Sequence, residues 1–416
     1  MDSQTSRRQP HRPASGLHRT FSSLAIRDFR RFWIGIIFIM GSMQMLVFTQ
    51  GFLAYELTGS AKILGLVSAG LQIPLLLLAP LGGAVADRVE RRKVLQIGQA
   101  ISATMTFGMG LLVLNGAVTW HYLFVVSLVQ GSLWSFMAPA RQSLVPMLVP
   151  KEMLSNATGL SGAGMSVSGL ITPALGGVLY ALLGPEGVYF TVAAMGLMAL
   201  IITMSLPRIP GKSKSSRMPI LGEIKAGAVY VRGHSVLRTL LLASLAIAMI
   251  SGPLMALLPA LIVDVYKRES AAFGLLISVS GVGSLVGALT IAYLGTWRRG
   301  LLYLSCGFVF AATMLAISVS QWFFMSMALM LLFGLGSGAQ WSLNQSLAMS
   351  NTDDVYRGRV MSIFMMVYGL TPLGTLPAGV AADIIGPKAT IGILGAVLLV
   401  IVSALLITQK AFRQLH

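Results

Sequence analysis

The stretch at residues 83–93 reads GAVADRVERRK, and it separates two long apolar runs. Six of the seven positions from Asp87 to Lys93 are charged, whereas the flanking windows 63–86 and 94–140 contain no Asp, Glu, Lys or Arg. A helix that crosses the hydrocarbon core of a bilayer needs about 20 consecutive apolar residues. A compact charged turn between runs of that length predicts membrane-spanning helices that are joined at the membrane surface.

The same alternation continues through the rest of the chain. Of the 416 residues, 55% are hydrophobic and 10% are charged, whereas a soluble domain contains about 25% charged residues. Ten windows contain no charged residue, namely 32–55, 63–86, 94–140, 153–185, 187–207, 239–263, 270–297, 300–352, 360–382 and 389–409. Two of them are too long for one helix, and they break at Asn115–Gly116 and around Ser318–Trp322, where polar and aromatic residues indicate the membrane interface. The sequence therefore predicts an all-α membrane protein with twelve transmembrane helices, which we call spans 1 to 12.

The formal net charge of +17 lies mainly on one side of these spans. An even number of spans brings both termini to the same side, and 26 of the 30 Lys and Arg residues fall there, leaving Lys62, Lys267, Arg268 and Lys388 opposite. The positive-inside rule assigns the basic side to the cytoplasm. We therefore expect a multi-pass protein of the cytoplasmic (inner) membrane with both termini inside. Because the basic residues occupy the turns between spans, we expect the lipid bilayer and not nucleic acid as a partner.

Short matches indicate an internal repeat. The triplet QSL at 142–144 recurs at 345–347, and Gly184–Pro185 recurs as Gly386–Pro387, at offsets of 203 and 202 residues. The chain is thus predicted to contain two six-helix pseudo-repeats. The expected divisions are a basic cytoplasmic tail (1–31), an N-terminal six-helix half (32–207), a cytoplasmic linker (208–238), a C-terminal six-helix half (239–409) and a cytoplasmic tail (410–416).

The stretch 83–93 resembles the signature loop of the major facilitator superfamily, in which a Gly is followed by three residues, Asp-Arg, two residues and a basic pair. The resemblance implies the major facilitator fold, with a substrate site at the interface of two six-helix halves. In that family the Asp is thought to hold the cytoplasmic gate closed, with arginines in support. The implied gating residues are Gly83, Asp87, Arg88, Arg91, Arg92, Arg141, Arg357 and Arg359. The second-half counterpart at 295–300 lacks the acid, so we expect this latch from the first half alone.

Span 5 contains Gly159, Pro173, Gly176 and Gly177, a pattern that is similar to the antiporter motif of exporting members of the family. Ordinary close packing of small residues between membrane helices is an equally good interpretation. The stretches LTGSA at 57–61, PARQSLVP at 139–146 and RGRVMS at 357–362 resemble the drug:proton antiporter branch, which includes macrolide-efflux proteins and the enterobactin exporter.

Uncharged polar and aromatic side chains within the spans are the candidates to line a substrate cavity, because hydrocarbon disfavours an unpaired polar group. They are Gln44, Gln130, Trp134, Tyr368 and Asn344. A hydrogen bond between two helices remains the alternative for each. No acidic residue lies near the middle of a span, so coupling to protons would use peripheral acids, for which Glu56, Asp264 and Asp383 are the candidates. The absence of a central acid favours a neutral or amphipathic cargo.

The resemblance implies secondary active efflux of a small lipophilic or amphipathic compound by alternating access, coupled to protons. Uptake or facilitated diffusion by the same fold, and a non-transporting membrane sensor or scaffold, remain open. An enzyme is not expected, because five His, the single Cys306 and the lack of a P-loop do not supply the residues for a catalytic triad or for ATP hydrolysis. We expect no cofactor, no metal and a monomer that binds a small molecule.

Overall fold

The computed structural model describes residues 22–207, 220–295, 298–353 and 356–409. Within these ranges, the structure does not describe the side chains of residues 80, 83, 84, 86–88, 220, 221, 223 and 224. The predicted tail at 410–416, most of the predicted tail at 1–31 and the first part of the predicted linker, 208–219, lie outside the described residues.

The described residues form helices and the turns between them, without a β-strand. Spans 1 to 6 are α1 (Arg27–Thr58), α2 (Ala61–Arg88), α3 (Arg91–Leu114), α4 (Trp120–Leu148), and α5 (154–183) with α6 (185–204), which together cover Leu154–Met204. A shorter helix, α7 (Ile220–Gly233), follows. Spans 7 to 10 are α8 (Ser235–Ala260), α9 (Ser270–Leu294), α10 (Arg299–Val319) and α11 (Phe323–Ser350). Span 11 consists of α12 (Arg357–Gly369) and α13 (Pro372–Ile385), and span 12 is α14 (Pro387–Thr408).

The boundary between α5 and α6 is Gly184, whose φ of 71° and ψ of 173° are not helical. Eleven helical segments of the described chain are long and apolar enough to cross a membrane when Lys151–Met204 is taken as one. Dividing that segment at Gly184 gives twelve. The prediction of an all-α fold with twelve transmembrane helices is confirmed.

The predicted repeat is visible in the two Gly–Pro turns. Gly386 has a φ of 85° and a ψ of 155°, close to the values at Gly184, and Pro387 begins α14 as Pro185 begins α6. Glycine reaches positive φ without a steric penalty, and proline suits the first helical turn, where a backbone N–H would lack a partner. The same two residues therefore make the same turn in each set of six spans.

The helix bundle has two ends, which we name by their position in the chain. The terminal face is the end at which α1 begins and α14 ends. The far face is the opposite end, where the turns at Gly59, Gly184 and Gly386 lie. We call α1–α6 the first half and α8–α14 the second half.

The most extensive contacts between the halves are those of α2 with α13 and of α5 with α9. Glycines permit their close approach, since a Cβ on Gly379 would lie 2.6 Å from the carbonyl oxygen of Ala61, and a Cβ on Gly177 would lie 2.7 Å from that of Ser270. Ala61 and Ser270 begin their helices at the far face. Small residues allow membrane helices to pack backbone against backbone, so the halves are held together most closely at that end.

Candidate functional site: two cavities and the contacts that close the far face

The larger cavity lies inside the first half and comprises about 590 Å³ of space, part of which is open to solvent. Helices α1, α2, α3, α4 and α6 surround it. Its lining comprises Ile39, Ser42, Met43, Leu46, Val47, Gln50, Leu71, Gln99, Ser102, Gln130, Trp134, Met137, Val192, Gly196 and Ala199. None of these side chains is charged, so the cavity suits an apolar molecule with uncharged polar groups.

Three glutamines and two serines make the polar part of this cavity. The Nε2 of Gln130 donates a hydrogen bond to Ser102 Oγ over 2.7 Å, and Ser127 Oγ donates to Gln50 Oε1 over 3.0 Å. The Nε2 of Gln50, and both the Nε2 and the Oε1 of Gln99, are buried without a hydrogen-bond partner among the described residues. Two residues of the lining therefore carry, between them, two amide donors and one amide acceptor that have no partner among the described residues.

A second cavity of about 220 Å³ lies in the second half, between α11 and α12. It is lined by Trp341, Asn344, Gln345, Met361, Phe364, Met365 and Tyr368. The rings of Trp341 and Tyr368 are 5.1 Å apart, and Ser244 Oγ donates to Asn344 Oδ1 over 3.0 Å. In contrast to Gln99, this amide oxygen is satisfied within the protein.

The predicted cavity residues fall into three groups. Gln130 and Trp134 line the larger cavity, and Tyr368 and Asn344 line the smaller one. Gln44 instead lies beside Gly169 of α5, outside the lining of these two cavities. Sequence reasoning missed Gln50 and Gln99, although the rule that selected Gln130, an uncharged polar residue inside an apolar window, applies to both.

Two cross-half hydrogen-bond sets close the far face, and we call them the far-face latch. In the first, the Tyr55 hydroxyl of α1 donates to the Asp264 carboxylate, which follows α8. In the second, Asp383 at the end of α13 accepts from the Ala61 N–H over 2.6 Å, the Lys62 N–H over 3.2 Å and the Ser60 hydroxyl over 2.6 Å. A carboxylate at a helix N-terminus satisfies free N–H groups and interacts favourably with the helix dipole. Asp383 of one half thus caps α2 of the other.

The spacing around Asp383 repeats that of the signature loop. Gly379 and Asp383 are separated as Gly83 and Asp87 are, and the two segments read GVAAD and GAVAD. The first ends α13 at the far face, and the second ends α2 at the terminal face. Sequence reasoning selected Asp383 as a coupling candidate and missed this correspondence, which could have been found by comparing the ends of spans 2 and 11.

Glu56 differs from the other two coupling candidates. It accepts a hydrogen bond from the Tyr180 hydroxyl, and both residues belong to the first half. Glu56 therefore does not join the halves, whereas Asp264 and Asp383 do.

Four aromatic side chains form a second closure, which we call the aromatic plug. They are Phe48, Phe52 and Tyr180 of the first half and Phe273 of the second. The ring of Phe273 lies 4.9 Å from that of Phe48 and 5.9 Å from that of Phe52, and all four side chains are buried. The plug adds an apolar barrier to the hydrogen bonds of the far-face latch.

The predicted gating residues at the terminal face begin on α2. Gly83, Asp87 and Arg88 belong to its last turns, and their side chains lie outside the described residues. Their role in gating stays a prediction.

Arg91 and Arg92 make bonds within the first half. The Nε of Arg91 donates to Ser143 Oγ of α4 over 2.9 Å. The guanidinium of Arg92 donates to the carbonyl oxygens of Leu206 and Met204 over 2.6 and 2.7 Å, at the end of α6. A cation near a helix C-terminus satisfies free carbonyls and interacts favourably with the dipole. Through these bonds both arginines brace the first half.

Arg141 is buried, with 5% of its surface exposed. Its guanidinium lies 5.8 Å from the centre of the Trp134 ring and 3.5 Å from the Met165 sulfur, and its Nε has no hydrogen-bond partner among the described residues. Arg359 lies at the start of α12, where its Cβ is in contact range of Gly227 on α7, and Arg357 precedes it. A common network of the eight predicted gating residues stays a prediction, because the side chains of Gly83, Asp87 and Arg88 lie outside the described residues.

The predicted motif of α5 divides into two parts. Gly177 packs against the start of α9, Gly176 lies beside Phe48, and the carbonyl of Pro173 faces Gly274. Gly159, nearer the terminal face, has open space beside it. The glycines near the far face pack closely against α1 and α9, whereas Gly159 has no such neighbour in this conformation.

The sequence has relatives among known transporters. The family model of the Major Facilitator Superfamily matches residues 32–373. The staphyloferrin A transporter of Staphylococcus aureus (strain NCTC 8325 / PS 47) is 26% identical over 347 residues, which cover 81% of this chain and 85% of that protein. Macrolide efflux protein A of Streptococcus pyogenes is 24% identical over 365 residues, covering 86% and 90%. The enterobactin exporter EntS of Citrobacter koseri (strain ATCC BAA-895 / CDC 4225-83 / SGSC4696) is 27% identical over 362 residues, covering 85% and 78%.

Among solved structures, the chain is similar to a bacterial homolog of the human lysosomal transporter Spinster in an inward-facing and unoccupied conformation. The TM-score is 0.68 at 15% identity, over 94% of this chain and 96% of that one. This likeness supports the fold, and the matches to relatives confirm the predicted resemblance to efflux transporters and the prediction that the chain is not an enzyme. The chain belongs to the Major Facilitator Superfamily and is a multi-pass membrane transporter of small molecules.

Proposed function

We propose that this protein exports a small lipophilic or amphipathic compound by alternating access. The observation that carries the proposal is the closure of the far face by the far-face latch and the aromatic plug. A transporter that works by alternating access must close one face while the other is open.

The orientation of this cycle follows from charge. With 26 of 30 Lys and Arg residues on the side of the termini, the terminal face is proposed to face the cytoplasm. The conformation described would then receive cargo from inside the cell. The proposed rocking units are 32–207 and 239–409, joined by 208–238, in the inner membrane and as a monomer.

The relatives favour export over uptake. The names of two of them, macrolide efflux protein A and enterobactin exporter EntS, state outward transport of their own substrates. The uncharged lining of the larger cavity is compatible with a lipophilic or amphipathic compound. The direction of transport is therefore proposed to be outward.

Proton coupling is proposed to act through the far-face latch. Asp264 and Asp383 bind across the halves as hydrogen-bond acceptors, so a proton on either carboxylate removes the charge that holds the far face closed. Protons arriving from outside would favour the outward-open state, from which cargo leaves. Glu56 can respond to protons without acting on the cross-half contact.

The test is efflux of a lipophilic fluorescent dye from energised cells, with and without a protonophore. Wild type is compared with Asp87→Asn, and Asp28→Asn serves as the matched control because Asp28 is a partly exposed acid at the same face. Protonophore-sensitive efflux that Asp87→Asn abolishes and Asp28→Asn retains would support the proposal. Protonophore-insensitive efflux would contradict proton coupling, and dye accumulation would indicate uptake.

A further inference from the structure

Two buried glutamines in the larger cavity have amide groups that the fold does not use. Gln99 of α3 is 3% exposed, and neither its Nε2 nor its Oε1 has a hydrogen-bond partner among the described residues. Gln50 of α1 is 4% exposed, and its Nε2 lacks a partner. A buried amide without a partner destabilises a fold relative to an apolar side chain of the same shape. Stability alone does not explain why these positions hold glutamine.

The second half provides an internal comparison. The polar side chains around Asn344 are joined to one another, with Ser244 bonded to Asn344 over 3.0 Å and lying 2.8 Å from the Tyr303 hydroxyl, and with Gln340 donating to Tyr303 over 3.3 Å. That cluster acts as a bridge between α8, α10 and α11. The polar cluster of the first half also contains hydrogen bonds between helices, but two amide donors and one amide acceptor in it have no partner among the described residues.

The residues that carry the unused groups both line the larger cavity. Gln99 and Ser102 are one helical turn apart and both line it, and Ser102 is joined to Gln130. Gln50 lies on the opposite helix and is held by Ser127. Around this polar strip the lining is apolar, with Met43, Leu46 and Val192 among its side chains.

We infer that Gln50 and Gln99 form a subsite that binds an uncharged hydrogen-bonding group of the cargo, such as an amide, a carbonyl or a hydroxyl. Two N–H donors and one carbonyl acceptor match a group that can both accept and donate. A carboxylate or an ammonium would enter this lining without an opposite charge, and an unpaired charge is far more costly to bury than a neutral amide. The inference rests on the proposed function in taking the bound molecule to be cargo.

The experiment measures the binding of three small probes to the purified, detergent-solubilised protein. Benzamide, benzoate and benzylammonium have similar size and differ in charge, so they isolate the chemistry of the subsite. Saturation-transfer NMR reports binding, and thermal unfolding of the same samples reports stability. The variants are Gln99→Leu and Gln99→Glu, and the control is Gln340→Leu, which removes an amide that has a partner.

The inference expects wild type to bind benzamide about tenfold more tightly than either ion. Gln99→Leu removes this preference and raises the unfolding temperature of the ligand-free protein, because an unpaired amide is lost. Gln99→Glu shifts the preference to benzylammonium. Gln340→Leu retains the preference and lowers the unfolding temperature.

Equal binding of the three probes to wild type, or an unchanged preference in Gln99→Leu, would overturn the inference. So would a lower unfolding temperature of Gln99→Leu with unchanged benzamide binding, since it would mean that the amide is structural and is satisfied by buried water. Binding is measured without transport, so a failed export assay leaves this result standing. A missing benzamide preference in a protein that exports dye would refute the subsite alone.

Discussion

Asp383 is the single residue whose replacement tests the far-face latch most directly. Asn in its place keeps one acceptor oxygen, loses the charge and turns its N–H₂ group toward either the Ala61 N–H or the Lys62 N–H. We expect Asp383→Asn to weaken far-face closure by about 1 kcal/mol, a roughly fivefold shift toward the open state.

Spin labels measure this shift. Cysteines at Lys62 and Glu269, one in each half at the far face, are introduced into a Cys306→Ser background and labelled. Asp383→Asn should increase the population of long distances. Asp28→Asn is the control, because Asp28 pairs with Arg31 of the same helix at the terminal face, and it should leave the distances unchanged. Identical distances in Asp383→Asn and wild type would refute the latch.

Arg92 gives a second prediction for a single residue, which concerns stability. Its guanidinium donates two short hydrogen bonds to the end of α6. We expect Arg92→Gln to lower the free energy of unfolding by about 2 kcal/mol, because the carbonyls of Met204 and Leu206 lose a charged donor. Lys93→Gln is the matched control, since the pair of Lys93 with Glu90 is at 3.7 Å and the lysine is exposed. Thermal unfolding in detergent measures both, and equal losses in the two variants would contradict the prediction.

At the scale of the helix, the two ends of α5 differ in how closely they pack against their neighbours. A Cβ on Gly177 would meet the carbonyl oxygen of Ser270, whereas a Cβ on Gly159 would meet no atom within 4 Å. We expect Gly177→Val to force α5 and α9 apart and to open the far face, and Gly159→Val to leave it closed. The spin-labelled pair described above measures both variants. Far-face distances that respond equally to the two substitutions would show that α5 does not carry the closure.

The helices themselves could be predicted from the sequence because each property that defines them is local. A charge-free window of about 20 residues is a sufficient signal for a spanning helix, and the breaks at Asn115–Gly116 and Ser318–Trp322 coincide with the turns before α4 and α11. The contacts of Asp383 could not be predicted in this way, because its partners lie more than 320 residues away in sequence. The unpaired amides of Gln50 and Gln99 could not be predicted either, because their hydrogen-bond partners depend on which side chains pack beside them in the folded protein.

At the scale of the whole molecule, the distribution of Lys and Arg predicts the orientation in the membrane, and the orientation determines the proposed direction of transport. We expect alkaline phosphatase fused after Gly116, in the turn between α3 and α4, to be active in intact bacteria, and the same enzyme fused after Gln409 to be inactive. The excess of Lys and Arg on the terminal side is the physical reason. The reverse pattern of activity would place the far-face latch in the cytoplasm and invert the proposed direction of cargo entry.

The aromatic plug has a consequence for the cell that contains this protein. Phe48, Phe52, Tyr180 and Phe273 fill the space between the halves with stacked and edge-on rings. A constriction lined by apolar rings excludes a continuous file of water, and ions do not cross where water does not. While the plug is intact, a resting transporter does not dissipate the membrane potential, so many copies can reside in a membrane without a continuous drain on respiration.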